Sequence, residues 1–232
     1  MELTPDEIVY WEWGLFELNA TVVFALVVDL ILVVVSWFVT RRLTDGVDLS
    51  RGQHILEVVV LYMRDQIAEI TREEPDRLLP FIGTLFLYIA MANALTILPF
   101  YQPPTASLST TAALSLCVFL AVPYFGISQV GLKDYLARYI QPSVFMLPFN
   151  IIGEISRTLA LAIRLFGNIM SGSLIVGIIV AITPIFFPII MRAFGLLTGL
   201  IQAYIFAVLA TVYIASATRA RDVPKQEGEV SA

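Results

Sequence analysis

Phe149-Asn150-Ile151-Ile152-Gly153-Glu154-Ile155-Ser156-Arg157-Thr158-Leu159-Ala160-Leu161-Ala162-Ile163-Arg164-Leu165-Phe166-Gly167-Asn168 continues without a proline to Thr183. Thirty-five helical residues at about 1.5 Å each measure roughly 50 Å, far more than a hydrocarbon core about 30 Å thick. One helix of that length fits only if it leans roughly 50° from the membrane normal, against a usual tilt of about 20°. Such a helix calls for support from outside this chain. Thr183-Pro184 and Pro188 then predict a turn, and residues 189–218 a second long apolar helix.

The rest of the chain agrees with a membrane setting. Of 232 residues, 58% are hydrophobic and 14% charged, where a soluble domain is about half apolar and a quarter charged. The net charge of −5 gives nucleic acid no basic footprint to bind, so no nucleic-acid partner is expected. One cysteine and one histidine exclude a disulfide framework and a Cys/His metal cluster within the chain. Cys117 reads as a small buried hydrophobe and His54 as an interfacial residue. Residues 1–19 carry Glu2, Asp6, Glu7, Glu12 and Glu17 and no Lys or Arg, which does not fit a signal peptide.

The expected fold is therefore all-α: a polytopic membrane protein with five membrane-embedded helices, the last two long and tilted as a hairpin, and one amphipathic surface helix. Residues 1–17 read as an acidic external tail, 18–218 as one membrane domain and 219–232 as a cytoplasmic tail. The first span is expected at 18–39, followed at once by Arg41 and Arg42. Residues 52–74 place Ile55, Val59, Tyr62 and Met63 opposite Glu57, Arg64, Asp65, Glu69 and Arg72, a pattern for a helix on the membrane surface. Spans two and three are expected at 78–99 and 108–127, and the long helices at about 144–183 and 185–218. The Lys/Arg asymmetry between loops puts the N-terminus outside and the C-terminus in the cytoplasm, with Arg192 the exception.

Ionisable groups at membrane depth are functional candidates. Asp29, Glu154, Arg157 and Arg164 qualify. At 100° per residue, Arg157, Arg164 and Ser171 share one helix face, and Asn168 lies a turn beyond Arg164. Glu154 and Arg157, at i and i+3, suit a simple ion pair. Arg164 sits between Ile163 and Leu165 with no carboxylate within two turns C-terminal to it, and its guanidinium keeps its charge. Gly153, Ala160, Gly167, Ser171, Gly172 and Gly177 would admit another backbone at close range, either residues 189–218 or a helix from elsewhere.

Arg164-Leu165-Phe166-Gly167-Asn168, with Pro148-Phe149-Asn150 before it and Gln202-Ala203-Tyr204-Ile205-Phe206 after it, resembles the signature of subunit a of the F-type ATP synthase membrane sector. Asn93 through Pro99 and Pro104-Thr105-Ala106-Ser107-Leu108-Ser109 are similar to further segments of that family. The resemblance implies a multi-pass protein of a bacterial plasma (inner) membrane whose partners are a c-subunit ring, b-type peripheral stalk subunits and, through the complex, the F1 sector. It also implies that Arg164 meets a buried carboxylate of each passing c subunit, with Asn168 and Gln202 beside it and Glu154 and Arg157 on the ion path. At ~4 Å such a pair attracts by about 4 kcal/mol at an effective dielectric of 20, enough to favour an emptied carboxylate. No Gly-x-x-x-x-Gly-Lys-Ser/Thr loop occurs, so ATP chemistry is expected in partner subunits and no cofactor here.

The chain departs from many proton-conducting relatives, holding Ser173 and Gly195 where they place Glu, His or Asp in the outer half-channel. Ser107 and Ser109 replace a common Asp and Asn, and Thr96 stands where an acid often precedes Leu-Pro. Hydroxyls ligate Na⁺ as hard oxygen donors but do not titrate near neutral pH. Ser107, Ser173 and Gly195 are thus the outer half-channel candidates, and Na⁺ is preferred over H⁺, as in the alternative bacterial class called N-ATPase. A proton-conducting subunit is the alternative within the family. A secondary transporter is the alternative outside it, though the two halves lack internal pseudosymmetry.

Overall fold

The computed structural model describes residues 9–13, 16–41, 51–71, 74–98, 101–140, 143–183 and 187–218. The expected tail at 219–232, residues 1–8, Arg42, Arg72 and the Pro184 turn lie outside these. Seven helices follow a short hairpin: α1 (Ala20–Thr40), α2 (Arg51–Ile70), α3 (Leu79–Ala94), α4 (Leu108–Val130), α5 (Leu132–Ile140), α6 (Met146–Ile182) and α7 (Phe187–Thr218). Five are long and apolar enough to cross a membrane: α1, α3 with its 3₁₀ extension to Ile97, α4, α6 and α7. The polytopic all-α membrane fold read from the sequence is the fold observed.

Two elements were not expected. The acidic N-terminal segment contains antiparallel strands, β1 (Val9–Trp13) and β2 (Phe16–Asn19), paired from Val9 with Asn19 to Trp13 with Phe16. Val9, Trp11 and Trp13 alternate with Tyr10 and Glu12, a period-two pattern rich in strand formers that the charge count had obscured. Helix α5 is the second. Gly131 ends α4 with φ +90, a backbone that only glycine adopts at no steric cost, and the chain turns straight into α5. Tyr135 of α5 is buried against Gly126 of α4, where a Cβ would stand 2.7 Å from the Tyr135 ring.

The core lies where α3 and α4 pack on α6 and α7. Ile82, Ile89, Val118, Leu165, Phe206 and Ile214 are among its largest fully buried side chains. On α7 the buried residues Gly199, Ala203, Ala207, Ala210 and Ala217 form a small-residue strip against which α3 and α4 approach closely. In lipid, where apolar burial drives little, such close backbone packing supplies the attraction. Helix α2 lies against α7, with Gln66 accepting a hydrogen bond from the Tyr204 hydroxyl. Cys117 is exposed on α4, contrary to the buried position expected. On a membrane-spanning helix an apolar run tells nothing about which face meets lipid.

Candidate functional site

The helix that decided the fold is a single uninterrupted α6 of 37 residues, about 55 Å long. Only Leu161, Ala162 and Leu165 of it are buried, whereas α7 buries twelve of its 32 residues. The buried side of α6 faces α4 and α7 near its middle. Arg157, Ala160, Arg164 and Ser171 are exposed on one stripe, with half-exposed Gly153 and Asn168 on its edges. A Cβ added at Gly153, Gly167, Gly172 or Gly177 would meet nothing within 4 Å. None of these glycines is therefore required for packing against α7, the explanation available within the chain.

Arg164 makes no hydrogen bond or ion pair among the described residues; the one ion pair there joins Arg64 to Asp76 at 2.9 Å. A permanently charged, unpaired guanidinium on an otherwise apolar helix needs an anion or water from outside the chain. Arg157 does not pair with Glu154. Its guanidinium carbon sits 5.8 Å from the centre of the Tyr213 ring of α7, within the range of a cation–π contact. Sequence reasoning missed Tyr213 because the two residues are distant in sequence and neither lies in the quoted motifs. Glu154 is half-buried on an open groove lined also by Phe119, Pro123, Tyr135, Leu136 and Ile151.

The Asn168 side-chain amide donates to the Thr198 carbonyl of α7 at 3.4 Å. Arg164 is four residues before Asn168, and Gln202 is four residues after Thr198. In an antiparallel helical hairpin those two steps run the same way, so Arg164 and Gln202 stand at one level, a turn from the Asn168 contact. Gln202 is 6% exposed and its Nε2 has no partner among the described residues. A buried amide N–H left unpaired costs about 1–3 kcal/mol. An incoming carboxylate or water would satisfy it.

The proposed outer residues differ in burial. Ser107 is fully buried and caps α4, accepting from the Ser109 N–H at 3.2 Å and meeting the Ser109 hydroxyl at 2.6 Å. Ser173 is exposed and donates to the Met170 carbonyl at 2.9 Å. Nine residues beyond Arg164 on a continuous helix, Ser173 lies about 13 Å along α6 but about half a turn around it. Gly195 is exposed with open space where a side chain would stand. Donating to a helix carbonyl leaves Ser173 its lone pairs as acceptors. Beside Ser107, the Thr105 hydroxyl is fully buried without a partner among the described residues, and so are the Tyr101 hydroxyl and the Gln102 Oε1. Burial holds the Tyr101 phenol above its ordinary value, with the neighbouring Tyr88 adding to the effect. It therefore stays protonated and neutral through the physiological range.

A long exposed helix presenting an arginine unpaired among the described residues, with a second long helix holding an amide level with it, fits a subunit of a larger membrane assembly. The family described as "ATP synthase A chain" matches residues 22–215, and the chain belongs to it. The chain is 59% identical over 219 residues to ATP synthase subunit a 2 of Acaryochloris marina, covering 94% of each. It is 56% identical over 229 residues to ATP synthase subunit a of Albidiferax ferrireducens, covering 99% of each. With ATP synthase subunit a 1 of Crocosphaera subtropica the identity is 60% over 216 residues, 93% of this chain and 94% of the relative. The chain is thus a non-catalytic, ion-translocating subunit of the synthase's membrane sector.

Proposed function

We propose that this chain is the stator across which Na⁺ passes to and from a ring of c subunits, with Arg164 facing the ring's carboxylates. The observation carrying this reading is the exposed Arg164, unpaired among the described residues, on a stripe of small residues that none of them covers. A ring carboxylate arriving opposite Arg164 loses its ion because the ionised form is stabilised by the guanidinium. Gln202 supplies an amide at that level for the emptied carboxylate, with Asn168 one turn further along α6, and Glu154 and Arg157 lie on the ion's path at the cytoplasmic end. The ion leaves through one half-channel and a new one loads from the other, while the fixed charge of Arg164 keeps ions from crossing directly. One elementary charge moved across 100 mV is worth about 2.3 kcal/mol, and these increments summed over a turn drive rotation.

Na⁺ rather than H⁺ is favoured by the chemistry between the α3–α4 loop and Arg164. Thr105, Ser107, Ser109, Ser171 and Ser173 offer oxygen ligands, and Gly195 has open space where a side chain would stand. Tyr101 stays neutral there, and none of these side chains exchanges protons near pH 7. The N-terminus lies outside and the C-terminus in the cytoplasm of a bacterial plasma membrane, with b-type stalk subunits and the F1 sector completing the assembly. The test is ATP-driven uptake of radioactive Na⁺ into proteoliposomes holding the whole complex. Uptake that persists or rises with a protonophore supports Na⁺ coupling. Uptake abolished by the protonophore, with hydrolysis indifferent to Na⁺, assigns the chain to proton conduction.

A further inference from the structure

Asp29 has no part in the ion path described above. It is the tenth of the 21 residues of α1, about 14 Å from one helix end and about 16 Å from the other, hence mid-depth in a core about 30 Å thick. An aspartate is too short to reach either interface, so its carboxyl group remains among the acyl chains or meets another protein. The side chain is exposed, and among the described residues it makes no hydrogen bond or ion pair.

The surrounding face has a pattern of its own. Helix α1 lies against α3 and the 3₁₀ turn Pro104–Ala106 rather than α6 or α7. Val28, fully buried, points to that side. Asp29 lies about 100° around the helix from Val28, and Val22, Asp29 and Ser36, seven residues apart, share the exposed stripe. Ser36 is likewise exposed, and its hydroxyl has no partner among the described residues. Ala25 and Val33 flank the stripe, and Thr40 ends it by donating to the Ser36 carbonyl at 2.7 Å. Two unpaired polar groups two turns apart, set among small and β-branched residues, match the seven-residue seam along which one helix packs on another at a shallow left-handed crossing.

We propose that the Val22–Asp29–Ser36 face of α1 docks a transmembrane helix of another subunit of the complex, which presents an Arg or Lys to Asp29. Intramembrane carboxylates pair with cations or line water-filled cavities, and Asp29 is not among the residues lining the groove at Glu154. Arg157 and Arg164 on α6 are not available to it, since α1 does not pack on that helix. This interface concerns assembly and not ion choice, so its outcome is independent of the Na⁺ reading.

The test places a photoreactive benzoylphenylalanine at Ser36 in the intact complex in native membranes, with Val34, about 160° away around the helix, as control. Irradiation is expected to join Ser36 to a transmembrane peptide of another subunit that carries Arg or Lys within a turn of the level of Asp29, while Val34 gives lipid adducts. Adducts from Ser36 with lipid alone, or with a peptide lacking a basic residue, would overturn the proposal. In parallel, Asp29→Leu should lower the amount of that subunit retained on purified complexes by about fivefold or more, normalised to subunit a in the membrane. Neutralising the partner's basic residue in the same strain should restore it. Unchanged subunit content in Asp29→Leu would also overturn the proposal.

Discussion

The side-chain amide of Asn93 on α3 donates to the Gly199 carbonyl on α7 at 2.9 Å, and a Cβ on Gly199 would stand 2.9 to 3.1 Å from three Asn93 atoms. The hydrogen bond and the missing side chain are one device: the amide reaches the backbone only because glycine leaves the space. It fixes the rotation of α7 less than one turn from Gln202. Gly199→Val should therefore destabilise the complex by about 1–3 kcal/mol through overpacking, read as a lower thermal midpoint of the purified assembly. Gly83→Ala, which meets nothing within 4 Å, should leave that midpoint unchanged or slightly raised.

The two stripe arginines should separate cleanly in function. Arg157 rests on the Tyr213 ring, so Tyr213→Leu removes a contact worth about 0.5–2 kcal/mol and should slow ion transport by no more than some tens of fold, with Tyr213→Phe near wild type. Arg164 has no such support. ATP-driven uptake rates measured side by side for Tyr213→Leu and Arg164→Ala check this difference, and equal losses would count against it.

Alkaline pH should expose Tyr101. Its phenol is held above its ordinary value of about 10 by burial. The neutral form is thus favoured in the folded state, and this contribution is fully present below pH 10. As pH rises past 10 the unfolded chain ionises first, so the contribution falls away. The Tyr101→Phe complex should lose less stability than wild type between about pH 9.5 and pH 11, and both should respond alike near pH 7. Dissociation kinetics across that range are the measurement.

Cysteines introduced at Glu7 and Gln226 should react with an impermeant thiol reagent from opposite sides of the membrane, as the distribution of Lys and Arg requires. Native Cys117, on the apolar span α4, should not react. Labelling of both introduced cysteines from one side contradicts the proposed orientation.

The architecture was legible because lipid enforces it: apolar length marks a span, and residues 144–183 and 185–218 bracket the observed Met146–Ile182 and Phe187–Thr218 closely. Arg164 was legible because a charge within such a run stands out. Contacts between helices were not. Arg157 with Tyr213, Asn168 with the Thr198 carbonyl, and Tyr135 with Gly126 depend on helix rotation and crossing, which hydropathy does not encode. Periodicity alone would have shown that Ser173 points away from Arg164, since nine residues make two and a half turns. The N-terminal hairpin was hidden by its acidic residues, although its alternation was present.

The central claim is that ions pass this subunit only by way of a ring carboxylate meeting Arg164. Its most direct test is ATP-driven ion uptake by proteoliposomes containing intact complex with Arg164→Ala, alongside Arg164→Lys. The variants should assemble with full ring and stalk content, since Arg164 makes no hydrogen bond or ion pair among the described residues, and should hydrolyse ATP once F1 is released. Uptake should fall to the leak of protein-free vesicles in both, because alanine removes the charge and lysine is a differently hydrated charge that deprotonates when desolvated. Uptake in Arg164→Ala within about twofold of wild type, far less than the loss of a buried charge contact produces, would contradict the account.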